Sequence, residues 1–209
     1  MIREVCVESL QEAVIAQELG AERIELCARL DLGGITPSYG LIESVKRNLK
    51  IPFMVMIRPR GGNFIYNALE LKIMQQSIQI CKNLGIDGIV LGILDQNKKI
   101  DIIQTQKLVK EASPLQVTFH KAIDDTVDPR IAVENLKKIK GITRILSSGG
   151  AVTALEGANI LNEMISSAED QIVVMAGGKV TKDNLMEVAG KIHTSEFHGR
   201  KIVGPLTRW

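Results

Sequence analysis

The sequence of 209 residues carries 26 basic and 24 acidic side chains, and a charge this balanced argues against nucleic acid or a membrane surface as the partner. Aromatic residues are only 3% of the chain, too few to form a platform on which nucleic-acid bases stack. The sequence has no long apolar run and no signal-peptide pattern, and its three cysteines are an odd number, so we predict a cytoplasmic protein with reduced thiols.

Short apolar segments alternate with amphipathic helical patterns along the whole chain. We predict strands at 2–7, 23–27, 52–58, 88–94, 115–121, 143–148, 171–176 and 195–198. We predict helices at 9–19, 38–49, 68–84, 102–112, 129–140, 154–168 and 183–191. Helix starts are marked by candidate capping residues, namely Ser9, Thr36, Asn67, Asp101, Asp128, Thr153 and Thr181. Because no linker or change in composition divides the chain, residues 1–209 are predicted to form one domain.

Five of the predicted strands oppose an apolar face to a chemically reactive one. The reactive faces carry Glu4 and Cys6, Glu25 and Cys27, Arg58 and Arg60, Thr118, His120 and Asp124, and Glu196 and His198. Helices between parallel strands cover the apolar faces, so the reactive faces are expected to look inward at one another. The prediction is a closed TIM (β/α)8 barrel. The alternative, an open doubly wound sheet, would bury Glu4, Glu25 and Arg58 unpaired against helices.

The predicted barrel lacks a regular last helix. Only Arg200–Trp209 follow the eighth strand, and the Gly204-Pro205 pair prevents a regular helix there. The eighth helix is therefore expected to be missing or reduced to a short tail, in a chain that is short against the roughly 250 residues typical of the fold.

Active sites of such barrels lie at the carboxyl ends of the strands, where five ionisable residues form a candidate catalytic group. They are Glu25, Arg58, His120, Asp124 and His198. Arg58 and Arg60 are candidate ligands for a carboxylate or a phosphate, while Glu25 and His120 are the candidate base and acid. The alternative interpretation is structural: Glu4, Arg23, Glu25 and Arg58 form an ion-pair network that fills the barrel axis.

Glycine-rich turns follow the sixth and seventh predicted strands. Ser148, Gly149 and Gly150 form one turn, and Gly177 and Gly178 form the other. Main-chain amides in such loops often bind anions, so both turns are candidate anion-binding sites. The alternative is that paired glycines serve only tight strand-to-helix turns.

Cys6 and Cys27 lie on the inward faces of neighbouring predicted strands, where two thiolates are suited to a soft ion such as Cu(I). Met54 or Met56 is a candidate thioether ligand beside them. The alternative is that both cysteines are small apolar core residues, because the chain has no CxxC motif and no His/Cys spacing typical of a dedicated metal site.

Several motifs resemble those of the CutC family, the so-called copper-homeostasis proteins. They are Glu4–Ser9 (EVCVES), Arg23–Cys27 (RIELC), Gly33–Ser38 (GGITPS), Met56–Gly62 (MIRPRGG), Thr118–Asp124 (TFHKAID), Ser148–Ala151 (SGGA) and Phe197–Gly199 (FHG). The resemblance covers essentially the whole chain. It implies a cytoplasmic TIM barrel, often oligomeric, that handles copper by binding Cu(I) through Cys6 and Cys27. It also implies a polar pocket formed by Glu25, Arg58, His120, Asp124 and His198.

The chain departs from the family pattern mainly after the last strands. Ala176–Lys179 stands where Pro-Gly-Gly-Gly is usual, and Arg200-Lys201 replaces an expected Ser and Ala. The loop after the eighth strand is therefore where the resemblance carries the least information about an anion site.

Three functions remain as alternatives. The resemblance favours copper homeostasis by Cu(I) binding. The polar mouth favours a TIM-barrel enzyme that acts by acid–base chemistry on a small phosphorylated or carboxylated metabolite, without an organic cofactor. A purely structural homo-oligomer would explain the missing helix but leaves the polar axis without a purpose. The expected partners are a small anionic ligand or a copper ion, and further copies of the same chain.

Overall fold

In the computed structural model, which describes residues 1–207, eight parallel strands close into one barrel. Strands pair in chain order, and the barrel closes where Glu4 of the first strand lies opposite His198 of the last. The strands are β1 (Ile2–Val7), β2 (Arg23–Leu26), β3 (Phe53–Met56), β4 (Gly88–Leu91), β5 (Gln116–Phe119), β6 (Ile142–Ser147), β7 (Val173–Ala176) and β8 (Glu196–His198). The predicted TIM barrel is confirmed, and the open sheet is excluded.

Within residues 1–207, seven α-helices cover the outside of the barrel. They are α1 (Leu10–Glu18), α2 (Tyr39–Asn48), α3 (Ala68–Asn83), α4 (Ile102–Ala112), α5 (Pro129–Lys137), α6 (Ala158–Ala168) and α7 (Leu185–Lys191). Two 3₁₀ turns that the sequence does not predict, Leu30–Leu32 and Lys121–Asp125, follow β2 and β5. Within residues 1–207 no helix follows β8, as predicted, because Gly204 adopts a φ of 117° and Pro205 lacks the amide that a helix requires.

Helices α2, α6 and α7 begin later than the candidate capping residues predict; α7 begins after Asn184, which exchanges hydrogen bonds with Thr181. The N-cap of α2 is Ser38, whereas Thr36 exchanges hydrogen bonds with the main chain of Arg58. Thr153 and Glu156 form the reciprocal contacts of a capping box, but these contacts close a separate turn ahead of α6. Hydroxyl side chains serve turns as readily as helices, so the sequence pattern alone does not fix the first helical residue.

The core lies between the sheet and the helices. Val5, Ile24 and Val55 on the outer face of the barrel are fully buried against helix residues such as Ile42 and Met74. Burying an aliphatic side chain of this size contributes roughly 1.5–3 kcal/mol, so the outer faces of the strands are fixed under the helices. The alternate positions therefore face the barrel axis. None of the helices formed by residues 1–207 combines the length and apolarity that crossing a bilayer requires.

Candidate functional site

The lower half of the barrel axis, towards the amino ends of the strands, holds a closed set of ion pairs. Arg23 on β2 donates from Nε to Glu4 on β1 and from Nη2 to Glu196 on β8. Arg144 on β6 donates to Glu196 over 3.0 Å. We call these four residues the basal network. Two carboxylates face two guanidinium groups, so the network satisfies its own charges, as the structural alternative predicts for Glu4 and Arg23.

His198 connects the basal network to the upper half of the axis. Its Nδ1 lies 2.9 Å from Glu4 Oε1 and its Nε2 lies 3.8 Å from Glu25 Oε2. Burial alone would lower the pKa of His198, but the neighbouring Glu25, Cys6 and Glu4 outweigh it and raise that pKa well above its usual value. Burial would raise the pKa of Glu4, but the hydrogen bond from His198 and the charge of Arg23 lower it to about 2. His198 is therefore a cation held between two carboxyl groups.

Above His198, a cavity of about 150 Å³ opens at the carboxyl ends of the strands, and we call it the inner cavity. Its polar lining includes Cys6, Glu25, Arg58, His120 and His198, and its apolar lining includes Leu30, Met56, Phe64 and Leu146. A wider mouth of about 490 Å³ shares Gly33, Arg58, Phe64 and Lys121 with the inner cavity. Four of the five predicted catalytic residues thus meet at one cavity, and the fifth, Asp124, lines the mouth.

Glu25 is a buried carboxyl group with one oxygen unused. Its Oε2 lies 3.5 Å from the thiol of Cys27, whereas its Oε1 has no hydrogen-bond partner among residues 1–207. Burial raises the pKa of Glu25, and the charge of Glu4 acts in the same direction, while the imidazolium of His198 opposes both. A carboxyl group with a raised pKa beside an imidazolium suits proton transfer.

Arg58 is a buried guanidinium that main-chain oxygens hold in place. Its Nη1 donates to the carbonyls of Leu32 and Gly34 over 3.0 and 3.1 Å, and its Nη2 donates to Gly62 over 2.7 Å. The guanidinium also lies over the ring of Phe64, with Cζ 4.6 Å from the ring centroid. Its Nε has no partner in the described part of the chain. The charge of Arg58 is thus solvated by carbonyl dipoles, and one donor is left over.

His120 lies beside Arg58 and also has one unused donor. The amide of Ala122 donates to Nδ1 over 3.2 Å, which assigns the proton of the neutral ring to Nε2. That Nε2 is buried and has no partner within residues 1–207. Burial and, to a lesser extent, the charge of Arg58 lower the pKa of His120 to about 3. His120 is therefore a neutral donor rather than the general acid that the sequence predicts, and His198 carries the proton instead.

Asp124 is fully engaged in holding the turn after β6. Its carboxylate accepts from the Ser147 hydroxyl over 2.5 Å, from the amides of Ser148 and Gly150 over 3.1 and 3.0 Å, and from Lys121 Nζ over 2.6 Å. The amides predicted to bind an external anion therefore already bind one that belongs to the chain. Asp124 positions this turn, and no unused oxygen of it points to a catalytic role.

The other glycines of the predicted anion site serve the turns. Gly149 donates its amide to the Ser147 hydroxyl over 2.8 Å, and Gly177 donates to the Ser147 carbonyl over 2.8 Å. Gly178 adopts a φ of 107° and packs so closely that an added Cβ would lie 2.8 Å from the Cβ of Ser148. The turn interpretation of both glycine pairs thus accounts for these contacts.

Arg60 does not line the inner cavity or the mouth. Its Nε donates to Glu70 on α3, its Nη2 donates to Ile65 over 2.7 Å, and its guanidinium lies over the ring of Tyr66. Strand β3 ends at Met56, so the alternation that places Arg58 inside no longer governs a residue four positions later. The structure places Arg60 in the support of the loop before α3.

The cysteines meet the axis at different levels. Cys6 lies opposite Glu25 in the strand register, and one ligand atom from each of Cys6, Glu25 and His198 lies within 4.8 Å of the others. Cys27 lies two residues after Glu25, nearer the mouth of the barrel, and packs against Met54 and Met56. The two thiols are therefore diagonal rather than directly opposite neighbours. Burial raises the pKa of Cys27 well above its usual value, and Glu25 adds to the effect.

Three residues of the site are not predicted from the sequence. Arg144 alternates with Leu146 and Ser148 on the sixth predicted strand, and this parity is the signal that could have placed it inside. Lys121 adjoins His120 in a loop, and Phe64 follows a glycine pair, so no periodicity marks either one. Their positions depend on how the loops fold over the mouth.

Comparisons with known proteins agree with this architecture. The model of the CutC family matches residues 1–203. A human relative named copper homeostasis protein cutC homolog is 43% identical over 197 residues, which cover 94% of this chain and 72% of the relative. A Histophilus somni relative named family protein CutC is 42% identical over 195 residues, covering 93% of this chain and 80% of the relative.

Solved structures show the same fold. The copper homeostasis protein CutC of Streptococcus agalactiae superposes with a TM-score of 0.91 at 35% identity, covering 97% of this chain and 99% of that one. A phosphoribosylanthranilate isomerase from Thermotoga maritima superposes with a TM-score of 0.60 at 10% identity, covering 95% and 87% of the two chains, which shows a shared fold alone. With a match over nearly its full length and relatives above 40% identity, the chain belongs to the CutC family.

Proposed function

We propose that this protein binds a small anionic metabolite in the inner cavity and acts on it by acid–base chemistry. The observation that carries the proposal is that Glu25, Arg58 and His120 line this one cavity and that each has a buried polar atom without a partner within residues 1–207, namely Oε1, Nε and Nε2. Leaving one buried polar group unsatisfied costs about 1–3 kcal/mol, so three around one cavity are best explained by a ligand that satisfies them.

The roles follow from charge and position. Arg58 and His120 supply donors for the anionic group, and His120 does so as a neutral ring. Glu25 takes a proton from the ligand or returns it, and the imidazolium of His198, 3.8 Å away, stabilises the carboxylate form. Glu4 holds the His198 ring through Nδ1 and so fixes its orientation.

Native mass spectrometry of the protein, purified gently from the cells that make it, tests this proposal. We expect a bound small anion in the wild-type protein. Arg58→Lys should lose this anion, because lysine keeps the positive charge but lacks the Nε–H donor of the guanidinium. Arg60→Lys is the matched control and should retain the anion. Wild-type protein that carries no small molecule, and that binds none of a panel of small carboxylates and phosphates, would contradict the proposal.

The acid–base step has its own test. We expect wild-type protein to accelerate deuterium uptake from D₂O into the released ligand, as measured by proton NMR. Glu25→Gln should slow this uptake by roughly 100-fold or more, because a positioned general base typically contributes about 10²–10⁴-fold. If Glu25→Gln still binds the ligand and the rate of deuterium uptake is unchanged, Glu25 is not the general base.

Copper binding is the second candidate, and two observations favour it. Ligand atoms of Cys6, Glu25 and His198 lie within 4.8 Å of one another, and the human and mouse relatives are named for copper homeostasis. A thiolate and an imidazole suit Cu(I), whereas a carboxylate suits it less well, so the donor set fits in part. Copper would be bound here as cargo at the floor of the inner cavity.

A titration with Cu(I) against a chromophoric chelator tests the second candidate. We expect Cys6→Ser to abolish tight binding, Cys27→Ser to weaken it, and Cys81→Ser, on the buried face of α3, to leave it unchanged. Wild-type affinity in the double variant of Cys6 and Cys27 would exclude this role. A cytoplasmic location and self-association stay predictions, which cell fractionation and light scattering would test.

A further inference from the structure

The chemical class of the anion can be narrowed from the donors that remain free. In the described part of the chain, the amides of Ser148 and Gly150 are already directed at the Asp124 carboxylate, and Lys121 is paired with the same group. The turn after β6 therefore has no open cradle of the kind that binds phosphate groups. An anion in the inner cavity has to be recognised by other groups.

Arg58 and His120 line the inner cavity, and each has one buried N–H group, Arg58 Nε and His120 Nε2, without a partner within residues 1–207. Both side chains are only 4% exposed. A carboxylate has two oxygens, so each oxygen meets one donor. A phosphate group has three terminal oxygens and needs further donors, whereas Lys121 Nζ, which also lines the cavity, already donates to Asp124 and Ser148.

The balance of charges around the inner cavity also favours a carboxylate. Lys121 is paired with Asp124, and the imidazolium of His198 lies between the carboxyl groups of Glu4 and Glu25, so within residues 1–207 Arg58 is the cation at the inner cavity that has no acidic partner. One positive charge balances the single negative charge of a carboxylate. A phosphate ester carries about 1.5 to 2 negative charges at neutral pH, and the excess would be buried uncompensated.

The remaining unpartnered atom indicates a second polar group on the ligand. Glu25 lines the same cavity and its Oε1 has no partner within residues 1–207, while Leu30, Met56, Phe64 and Leu146 form the apolar part of the wall. A cavity of about 150 Å³ is smaller than the roughly 300–1,000 Å³ of drug-sized ligand pockets, so the bound part of the ligand is short. We infer that the inner cavity binds a short carboxylate bearing one further hydroxyl or carbonyl oxygen, rather than a phosphate ester. This inference rests on the proposed small-anion function.

Isothermal titration calorimetry with three probes tests the inference on wild-type protein. Lactate has a carboxylate and a hydroxyl, propionate has the same carbon skeleton without the hydroxyl, and inorganic phosphate has neither. We expect lactate to bind at least tenfold more tightly than phosphate. Propionate should bind roughly tenfold more weakly than lactate, because the hydrogen bond to Glu25 is missing.

Two variants locate the binding. His120→Phe removes the Nε2 donor while keeping a ring beside Phe64, and we expect lactate to bind roughly 10- to 100-fold more weakly. Arg60→Lys changes a guanidinium outside the cavity and should leave the affinity for lactate unchanged. Circular dichroism verifies that each variant is folded, and the comparison of probes on wild-type protein does not depend on the variants.

The outcomes separate the inference from the function on which it rests. Binding of phosphate in preference to lactate, with loss in His120→Phe, would overturn the carboxylate assignment and leave a small-anion site. Equal binding of lactate and propionate would overturn the role of Glu25 Oε1 in recognition. If neither the three probes nor any co-purifying anion binds wild-type protein, both the inference and the proposed function are wrong.

Discussion

Each half of the barrel axis contains a buried arginine, but the two arginines have different partners. In the basal network, Arg23 lies between the carboxylates of Glu4 and Glu196, and each charge has a partner supplied by the chain. In the inner cavity, Arg58 is equally buried but is held by carbonyl oxygens and keeps an unused Nε donor. A charged barrel interior is therefore not evidence of a site by itself. The candidate site is the part of the axis where Glu25, Arg58 and His120 each keep a buried polar atom without a partner within residues 1–207.

The comparison also separates stability from recognition. Breaking a buried ion pair by removing one partner leaves an uncompensated charge, so the basal network is expected to be sensitive to single substitutions. An unsatisfied donor lowers the stability of the free protein, and a ligand that satisfies it recovers the cost. Under the proposed function, the same barrel contains a region that stabilises the fold and a region that binds a ligand.

The largest predicted effect is in the basal network. Arg23→Met should lower the free energy of unfolding by about 3–5 kcal/mol, because Glu4 and Glu196 lose their shared cation in a buried site. Urea denaturation of the purified protein measures this change. Arg29→Met is the control, because Arg29 pairs with Asp31 on the surface. This variant should unfold at the same urea concentration as the wild-type protein. An equal effect of both substitutions would show that the basal network has no special role.

A smaller effect is predicted for the pH dependence of stability. His120 has a pKa of about 3 in the folded chain, against about 6.5 for an unperturbed histidine. The unfolded chain therefore takes up a proton below about pH 6.5 that the folded chain refuses until about pH 3, and stability falls as the pH falls through this window.

Comparison with His120→Phe isolates that contribution. Between pH 7 and pH 4, the wild-type protein should lose about 3 kcal/mol more than the variant, measured by urea denaturation at each pH. His193→Gln, a change at an exposed histidine, should follow the wild-type curve. Parallel stability curves for wild type and His120→Phe would mean that His120 titrates normally in the folded protein.

The smallest predicted effect is at the turn after β6. Asp124→Ala should cost about 1–3 kcal/mol, because the amides of Ser148 and Gly150 lose their anion. Added sulfate should recover part of this loss in a thermal melt, since the vacated amides then have an anion to bind. Asp125→Ala, an exposed neighbour, serves as the control. No loss of stability in Asp124→Ala would show that the turn does not depend on its own carboxylate.

Much of this arrangement is predictable from the alternation of residues along the strands. That alternation placed Glu4, Glu25 and His198 on the inner face, and the packing of helices on the outer face enforces it. It fails beyond the ends of the strands, as Arg60 shows, because loop residues are not held by the sheet. Asp124 shows a second limit: a sequence does not reveal that a glycine-rich turn has already been filled by a carboxylate from the preceding loop.

The most direct test of the account is to observe the two unused donors themselves. Proton–nitrogen NMR correlation spectra resolve arginine Nε–H and histidine Nε2–H groups, and lactate can be titrated into the labelled wild-type protein. We expect the signals of Arg58 Nε and His120 Nε2 to shift together and saturate at the same lactate concentration, while the signal of Arg60 Nε stays in place. If the signals of Arg58 and His120 do not respond to lactate, to phosphate or to any co-purifying anion, these two groups do not bind a ligand in the inner cavity.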